Sequence, residues 1–401
     1  MHFAVRRFVV RNYRSIAACD VTLGDLVFLV GPNGAGKSNF LDALRLTADS
    51  LRTSLDHALR DRGGIAEVRR RSGGHPTHFG VRAEYAVGAM RGSYSFRVAA
   101  KSRGGYEVQD EECRVERPEI GSTTSWFRVN NGSVTSSEGA MPAAAKDRLY
   151  LVAASGLPAF RPVFDGLAQM GFYNLNPDAI GDLQSPDAGD LLARDGSNLA
   201  SVLARMTRTD VDQKLKVEEY LSKVVPGLAG VDAKSVGPKE SLEFRQRVAG
   251  ATAPWRFPAG NMSDGTLRAL GVLVALFQRS PDPFGQSLIG IEEPEVALHP
   301  WAAGVLLDAL QDASDARQVL VTSHSPDLLD SGDLPIASIK AVMQVDGNTV
   351  IAGLDRAGVF ALQKALFTPG ELLRQNQLLP DVASTQLPGQ MGLFEDVGAG
   401  A

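Results

Sequence analysis

The sequence has little cysteine and no long apolar run. Cys19 and Cys113 are its only cysteines, and they are far apart with no histidine near either of them. A zinc site and a disulfide framework are therefore not indicated. No stretch approaches the roughly 20 apolar residues that would cross a bilayer. The apolar N-terminus is interrupted by Arg6 and Arg7, with no small-residue cleavage site after it. We therefore expect neither a signal peptide nor a membrane segment, and we expect a cytoplasmic location.

The sequence also lacks an excess of positive charge. Its 41 lysines and arginines are outnumbered by 46 aspartates and glutamates, which gives a net charge of -5. This excludes a uniformly basic surface for nucleic acid, although a local basic groove remains compatible with an acidic total. Neither an internal repeat nor a heptad run long enough for coiled-coil arms is present. The 401 residues are enough for two or three lobes.

The apolar pattern is that of a mixed α/β protein. Three short strands are predicted within residues 3–30, and the third runs into a glycine-rich turn that precedes a helix from Asn39 to Leu51. Residues 77–129 have the pattern of an antiparallel meander, and a further strand is predicted around Leu149–Ser155. From Gly265 onward helices and strands alternate, which predicts a mainly parallel sheet with covering helices.

The strongest chemical signal is the segment GPNGAGKS at residues 31–38. It matches the phosphate-loop pattern G-x-x-x-x-G-K-[ST] and lies between a predicted strand and a predicted helix. In such a loop, backbone N–H groups surround a polyphosphate, the lysine reaches the outer phosphates, and the serine hydroxyl ligates Mg²⁺. We therefore predict a nucleotide site formed by Asn33, Gly34, Ala35, Gly36, Lys37, Ser38 and Asn39.

Two acidic residues follow an apolar strand in the segment SLIGIEEPE. In phosphate-loop ATPases the first carboxylate at this place supports the Mg²⁺ ion and the next accepts a proton from the attacking water. We assign these roles to Glu292 and Glu293, with Ser38 as the second metal-associated residue. Taken alone, a strand that ends in solvated glutamates would be an equally good interpretation, but the phosphate loop favours the functional one.

Two weaker signals lie on either side of this strand. His324, in QVLVTSHSP, follows another apolar strand, where an imidazole can hydrogen-bond a terminal phosphate; a structural role is the alternative. Ser263 and Gly265, in NMSDGTLRAL, lie at the start of a helix, where N–H groups bind anions; a simple helix cap is the alternative.

Together these motifs resemble the ABC ATPase superfamily. GPNGAGKS is similar to its Walker A motif, MSDGT to its LSGGQ signature, IEEPE to Walker B with the catalytic glutamate, and TSHSP to its switch-histidine loop. The N-terminal region, SDGTLR and EEPEVALHP resemble the RecF/SMC/OLD-like branch, in particular its compact, arm-less bacterial members. The resemblance implies catalytic roles for Glu293, His324 and Lys37, with ATP and Mg²⁺ as cofactors.

Some positions depart from the superfamily pattern. Glu292 replaces the usual aspartate of Walker B, and Asp264 replaces the first glycine of the signature. No glutamine occurs in the segment from Arg60 to Gly74, where the Q-loop is expected. Arg14 resembles a basic residue that reaches the nucleotide in this branch, and a solvated turn arginine is the alternative.

In this superfamily the signature of one subunit caps the ATP held by another. The resemblance thus implies a head-to-tail homodimer or a higher homo-oligomer. One hypothesis is that ATP-dependent dimerisation drives or gates a nucleic-acid-related process, DNA repair or anti-phage defence, with DNA as partner. Its candidate phosphate contacts are the arginines at positions 6, 7, 11, 14 and 69–71. The other hypothesis is a nucleotide-gated regulator that controls a separate effector, such as a nuclease or toxin encoded nearby.

The same interpretation divides the chain into four segments. We predict an N-terminal ATPase lobe with an antiparallel β-subdomain over residues 1–157 and a helical insertion lobe over 158–229. A C-terminal ATPase lobe with signature, Walker B and switch histidine follows over 230–366. A C-terminal helix and flexible tail complete the chain over 367–401.

Overall fold

The structure is a computed structural model with two large β-sheets and two large hydrophobic cores. The first core contains residues of both sheets, and the second contains residues of the second sheet and of the helices that cover it. The structure describes residues 3–71, 76–118, 123–139, 141–280, 285–385 and 392–394. Part of the tail predicted to be flexible lies outside these residues.

The first sheet is antiparallel and has seven strands in the order β2-β1-β4-β5-β6-β7-β8. Its strands are β1 (Phe3–Tyr13), β2 (Ile16–Thr22), β4 (His78–Val87), β5 (Met90–Ala100), β6 (Tyr106–Arg117), β7 (Thr123–Asn130) and β8 (Ser133–Ser136). Alternate residues of β1, such as Phe8 and Val10, are buried in the first core, which also contains Phe40 and Leu44 of the first helix. One face of this sheet is therefore apolar and covered, as in most antiparallel sheets.

The second sheet is parallel except at one edge and has six strands in the order β16-β15-β3-β14-β13-β9. Its strands are β3 (Leu26–Val30), β9 (Gly171–Tyr173), β13 (Leu288–Glu292), β14 (Gln318–Ser323), β15 (Ile339–Val345) and β16 (Asn348–Ala352). Consecutive residues of β14 are buried, because both faces of this sheet are covered. A small antiparallel sheet contains β10 (Leu228–Val236), β11 (Lys239–Gln246) and β12 (Trp255–Pro258).

The helices are short to medium in length. They are α1 (Lys37–Arg52), α2 (Leu55–Arg60), α3 (Ile65–Val68), α4 (Leu151–Ala154), α5 (Arg161–Ala168), α6 (Pro177–Gly181), α7 (Leu199–Thr209), α8 (Val211–Val224), α9 (Asp264–Phe277), α10 (Ala302–Ser314), α11 (Pro326–Asp330), α12 (Arg356–Gln363) and α13 (Pro369–Arg374). None of the described helices is long and apolar enough to span a membrane.

The predicted fold class is confirmed, because a mainly parallel core sheet, an antiparallel sheet and a group of helices are all present. The prediction of a strand around Leu149–Ser155 is wrong. This segment forms α4, and its backbone closes helical turns from Tyr150 to Ala154 and from Leu151 to Ser155. The carboxylate of Glu111 accepts hydrogen bonds from the N–H groups of Tyr150 and Leu151, which satisfies the free donors at the start of the helix.

Candidate nucleotide-binding site

The phosphate-loop segment connects β3 to α1 at the carboxyl end of the parallel sheet. Its backbone requires glycine at two places. Gly36 caps α1 with φ of 105°, a left-handed conformation that favours glycine. A Cβ atom at Gly31 would lie 2.0 Å from the carbonyl oxygen of Val342 in β15. The loop is therefore shaped by the strand beside it as well as by its own sequence.

Lys37 lies at the first position of α1 and is only 5% exposed. Its Nζ donates to the carbonyl oxygens of Gly31, at 2.7 Å, and Pro32, at 3.1 Å, so the ammonium group lies over the loop. Burial lowers the pKa of Lys37, while Glu293 and Glu295 favour its charged form. Residues 292–295, which we call the acidic segment, therefore lie close enough to act electrostatically on Lys37. Ser38, the next residue, is exposed, as are Asn33 and Gly34.

A hydrogen-bonded network holds the loop from the side of β16. Thr349 donates from Oγ1 to the carbonyl oxygen of Ala35 at 2.9 Å, and its Oγ1 lies 2.7 Å from the hydroxyl of Ser15. Asn39 of α1 donates to the same serine hydroxyl at 2.6 Å. A Cβ atom at Gly36 would lie 2.1 Å from the Oγ1 of Thr349. Thr349 thus fixes both the position of the loop and the need for a glycine.

Glu293 and His324 lie together at the ends of β13 and β14. Glu293 has φ of 46°, an uncommon conformation for a side-chain-bearing residue. Its N–H donates to the carbonyl oxygen of Thr322 at 2.9 Å, which holds this bend against the neighbouring strand. The Nδ1 of His324 lies 3.0 Å from the Oε1 of Glu293. Backbone strain of this kind is commonly stored at functional sites.

A second glutamate, not singled out in the sequence, supports this loop. Oε1 of Glu295 accepts from the hydroxyl of Ser323 at 2.5 Å, and the hydroxyl oxygen of Ser323 accepts from the N–H of Ser325 at 3.0 Å. Burial raises the pKa of Glu295. The two serines flank His324, so Glu295 fixes the segment that carries the imidazole.

Two arginines that the sequence did not single out hold the acidic segment. Arg194 donates to Oε1 of Glu292 at 2.8 Å. Arg268 of α9 is largely buried and donates to the carbonyl oxygens of Glu292, at 3.1 Å, and Glu293, at 3.0 Å. Burial lowers the pKa of Arg268, and the neighbouring glutamates, Glu295 first, oppose that effect. No motif predicts these contacts, because each joins positions far apart in sequence.

Arg14 lies beside α1. It forms a 3.0 Å ion pair with Asp42, which also pairs with Arg45 at 2.7 Å and with Arg62 at 3.0 Å. The structure therefore places Arg14 in a partly buried charge cluster beside α1, where three arginines share the Asp42 carboxylate.

Ser263 and Gly265 lie at the start of α9. Ser263 is the N-cap, and its Oγ accepts from the N–H of Thr266 at 3.3 Å. A Cβ atom at Gly265 would lie 2.3 Å from the carbonyl oxygen of Ala297, in the loop after Glu295. The signature-like segment therefore packs directly against the chain that follows the acidic pair. Within the described part of the chain, the hydrogen bonds of the Ser263 side chain stay within its own helix and do not join it to the phosphate loop.

The donor set suits a hard cation bound together with a phosphate. Among the described residues no group of three or more histidine, cysteine, aspartate or glutamate side chains could hold a metal ion alone. Mg²⁺ commonly takes one or two protein oxygen ligands and completes its shell with phosphate and water. The hydroxyl of Ser38 and the carboxylate of Glu292 have the right chemistry for such a site.

The fold is that of the head domains of SMC proteins. The chain is similar to a Smc head bound to the C-winged helix domain of ScpA, with TM-score 0.51 and 14% identity, covering 88% of this chain and 99% of that one. It is also similar to the Smc head with an extended coiled coil from Pyrococcus furiosus, with TM-score 0.52 and 12% identity, covering 91% and 99%. A Smc head with a coiled coil and joint from Pyrococcus yayanosii gives TM-score 0.52 and 10% identity, covering 91% and 100%. No curated protein matches the sequence.

The chain thus combines the fold of SMC head domains with a phosphate-loop motif, and its described residues contain no coiled-coil arms. A family model described as "AAA domain, putative AbiEii toxin, Type IV TA system" matches residues 26–124 and 210–330, which together exceed half of the chain. The chain belongs to this family.

Proposed function

We propose that the protein binds ATP with Mg²⁺ and hydrolyses it, with Glu293 as the general base. The observation that carries this proposal is the Glu293–His324 pair at the strand ends that follow the phosphate loop. A carboxylate oriented by an imidazole can accept a proton from water, and Lys37, whose ammonium group lies over the loop, would neutralise phosphate charge. His324 would hold the Glu293 carboxylate in position and contact the terminal phosphate.

Residues 33–39 would form the phosphate cradle, in which the N–H groups of the loop and of the first turn of α1 bind the anion. Ser38 and Glu292 would hold Mg²⁺, which, when bound, neutralises charge on the phosphates. The Arg194–Glu292 ion pair has to loosen for Glu292 to serve this role, because both cations need the same carboxylate.

We further propose a head-to-tail dimer in which Ser263 and Gly265 of one copy cap the nucleotide of the other. The free N–H groups at the start of α9 suit this function, and the Ala297 carbonyl beneath Gly265 links the cap to the acidic segment. ATP binding would close the dimer and hydrolysis would reopen it.

The experiment is size determination and ATP turnover of Glu293→Gln. This variant should bind ATP, lose turnover by at least 100-fold, and accumulate as an ATP-dependent dimer. Lys37→Ala should bind no ATP and remain the same size with and without it. Gly265→Ala should bind ATP but fail to dimerise, whereas Gly304→Ala in α10, where a Cβ meets nothing closer than 3.7 Å, serves as the matched control. Ordinary turnover by Glu293→Gln would refute the proposal.

For the biological role, a nucleic-acid-related process remains one candidate. Several of the arginines considered as phosphate contacts are engaged within the chain: Arg6 pairs with Asp25, Arg7 with Asp20 and Arg71 with Glu67. DNA would have to compete with these carboxylates. A DNA-binding titration at 50 and 200 mM salt, with and without ATP, tests this role, because several phosphate contacts would weaken binding by orders of magnitude over this range.

The second candidate is control of a separate effector protein, and a specific observation favours it. Phe360, Leu366 and Phe367, in and just after α12, are 57%, 61% and 38% exposed. Neighbouring exposed apolar side chains are typical of protein contact surfaces. The family description also names a putative toxin of a type IV TA system. Co-expression with the product of each adjacent gene, using Phe360→Ser with Leu366→Ser and, separately, Lys37→Ala, tests whether binding depends on this surface and on ATP.

A further inference from the structure

A short C-terminal segment lies on the mainly polar outer face of the seven-stranded sheet. Leu393 is 3% exposed and packs on Val9 of β1, with Ala18 and Phe394 at the edge of this contact. Val9 points away from the first core, since its neighbours Phe8 and Val10 are buried there. In the strands beside it, the residues in register with Val9 are Arg82, Ser95 and Glu112. Leu393 therefore covers the apolar residue in a row of polar ones.

The sheet has a depression that fits this leucine. Gly80 of β4 lies beneath it, and a Cβ atom at this position would be 2.5 Å from Cδ1 of Leu393. Arg82 donates to the carbonyl oxygen of Leu393 at 3.4 Å. The guanidinium carbon of Arg97 lies 5.2 Å from the ring centre of Phe394, within the range of a cation–π contact. Gly80 thus makes room for the Leu393 side chain, Arg82 binds its carbonyl oxygen, and Arg97 contacts the ring of Phe394.

A positively charged cavity begins beside this depression. It has a volume of about 610 Å³, and its charged lining residues are Arg6, Arg82, Glu84, Arg91, Arg114 and Glu116. Four arginines against these two glutamates and Asp25, which pairs with Arg6, leave one positive charge in excess. Arg82 belongs both to the cavity wall and to the Leu393 contact. In the sequence, Phe394 is followed by Glu395 and Asp396. The charge of the cavity therefore complements that of the next two residues of the chain.

We propose that this face is a docking site for the chain's own C-terminal segment, which it recognises as a leucine–phenylalanine pair followed by two acidic residues. Leu393 occupies the depression at Gly80, Phe394 lies against Arg97, and the positive charge of the cavity favours the acidic residues that follow in the sequence. Through this contact, residues 393 and 394 bind to the N-terminal sheet, whose strands lie more than 250 residues earlier in the sequence. A partner protein with the same motif would compete for the same face. The proposal does not depend on the ATPase function.

The test is binding of a fluorescent peptide of residues 389–401 to the full-length chain. The double variant Leu393→Asp, Phe394→Ser disables the chain's own segment and leaves the site open, so it should bind the peptide with a Kd in the micromolar range. The unmodified chain should bind at least tenfold more weakly, because its own segment competes. A peptide with the same two substitutions should not bind to either chain. Failure of the double variant to bind the peptide, or equal binding by the unmodified chain, would overturn the proposal.

Two further arms separate the site from its surroundings. Gly80→Val, added to the double variant, should reduce peptide binding at least tenfold, because the side chain fills the depression. Val382→Asp, at an exposed position before the segment, is the control. It should bind the peptide as weakly as the unmodified chain does. If the double variant unfolds at a lower temperature than the unmodified chain, a truncated variant that ends at Gln390 is used in the same titration instead. Sizing decides whether the segment binds its own copy: a concentration-dependent dimer that is lost in the double variant would overturn the intramolecular assignment.

Discussion

The Nδ1 of His324 lies 3.0 Å from Oε1 of Glu293, across the ends of two adjacent parallel strands. The carboxylate is thereby aimed by a group on the neighbouring strand, while its own backbone is held in a left-handed bend by Thr322. A base that depends on such orientation is sensitive to loss of its partner.

We therefore expect His324→Ala to lower the kcat of ATP hydrolysis by about 10- to 100-fold. The Kd for ATP should change less than threefold, because the phosphate loop does not depend on this side chain. Steady-state kinetics together with a nucleotide-binding titration measure both. The exposed His299, in the segment between Glu295 and α10, provides the control, and His299→Ala should keep normal turnover. Equal losses in the two variants would remove His324 from the mechanism.

Thr349 should determine how well the phosphate loop is formed. Thr349→Val keeps the shape but leaves the Ala35 carbonyl without its donor and breaks the contact to Ser15. A buried group that loses its partner costs about 1–3 kcal/mol. We expect the KM for ATP to rise several-fold with little change in kcat, and Thr349→Ser to restore it. If the valine variant instead lowers kcat alone, the hydroxyl acts on the chemical step and not on the loop.

The ion pair between Arg194 and Glu292 should set the Mg²⁺ requirement. Removing a positive charge 2.8 Å from a carboxylate strengthens the binding of another cation there by about 1 kcal/mol at a partly exposed site. Arg194→Ala should therefore lower the Mg²⁺ concentration for half-maximal hydrolysis several-fold, and Glu292→Gln should raise it by at least tenfold. Arg205→Ala, which removes an ion pair with Asp190, is the control and should leave the Mg²⁺ concentration for half-maximal hydrolysis unchanged. A higher requirement in Arg194→Ala would mean that the arginine positions the carboxylate.

Local sequence predicts the phosphate loop and its surroundings well. The turn at residues 31–38 and the helix after it depend on contacts within one segment, so the motif carries enough information. The helix predicted at Asn39–Leu51 corresponds to α1, which begins two residues earlier. The strand β14, a run of buried residues, is likewise evident from its composition.

Long-range contacts explain what the sequence did not reveal. The three-residue strand β9 has no periodicity of its own and exists through its pairing with β13. The segment at Leu151–Ala154 is helical because the Glu111 carboxylate, 40 residues away, caps it. The β15–β16 hairpin did carry a signal, since Asp346-Gly347 between two apolar runs is a typical hairpin turn. Its contact through Thr349 with the phosphate loop has no sequence signature.

Glu111 should make the stability of the N-terminal sheet depend on pH. It is fully buried in β6 and accepts hydrogen bonds from the hydroxyl of Tyr94 and the N–H groups of Tyr150 and Leu151. Burial raises its pKa from 4.5 to about 7 in spite of these three donors. The folded protein therefore binds more protons than the unfolded chain between these two pH values. The corresponding stability is complete below pH 4.5 and is lost as the pH rises toward 7, by up to about 3 kcal/mol.

Chemical denaturation at pH 5 and pH 7.5 of the unmodified chain and of Glu111→Gln tests this dependence. The glutamine cannot titrate, so the variant should lose less stability than the unmodified chain over this range, although it is less stable at pH 5 because its NH₂ group faces the N–H of Tyr150. His78, whose pKa burial lowers, contributes in the opposite direction, so the comparison is made between variants and not on one curve. In His78→Asn the decline between the two pH values should be larger than in the unmodified chain. An identical pH dependence in Glu111→Gln and the unmodified chain would show that the carboxyl group keeps the same proton in the folded and unfolded states.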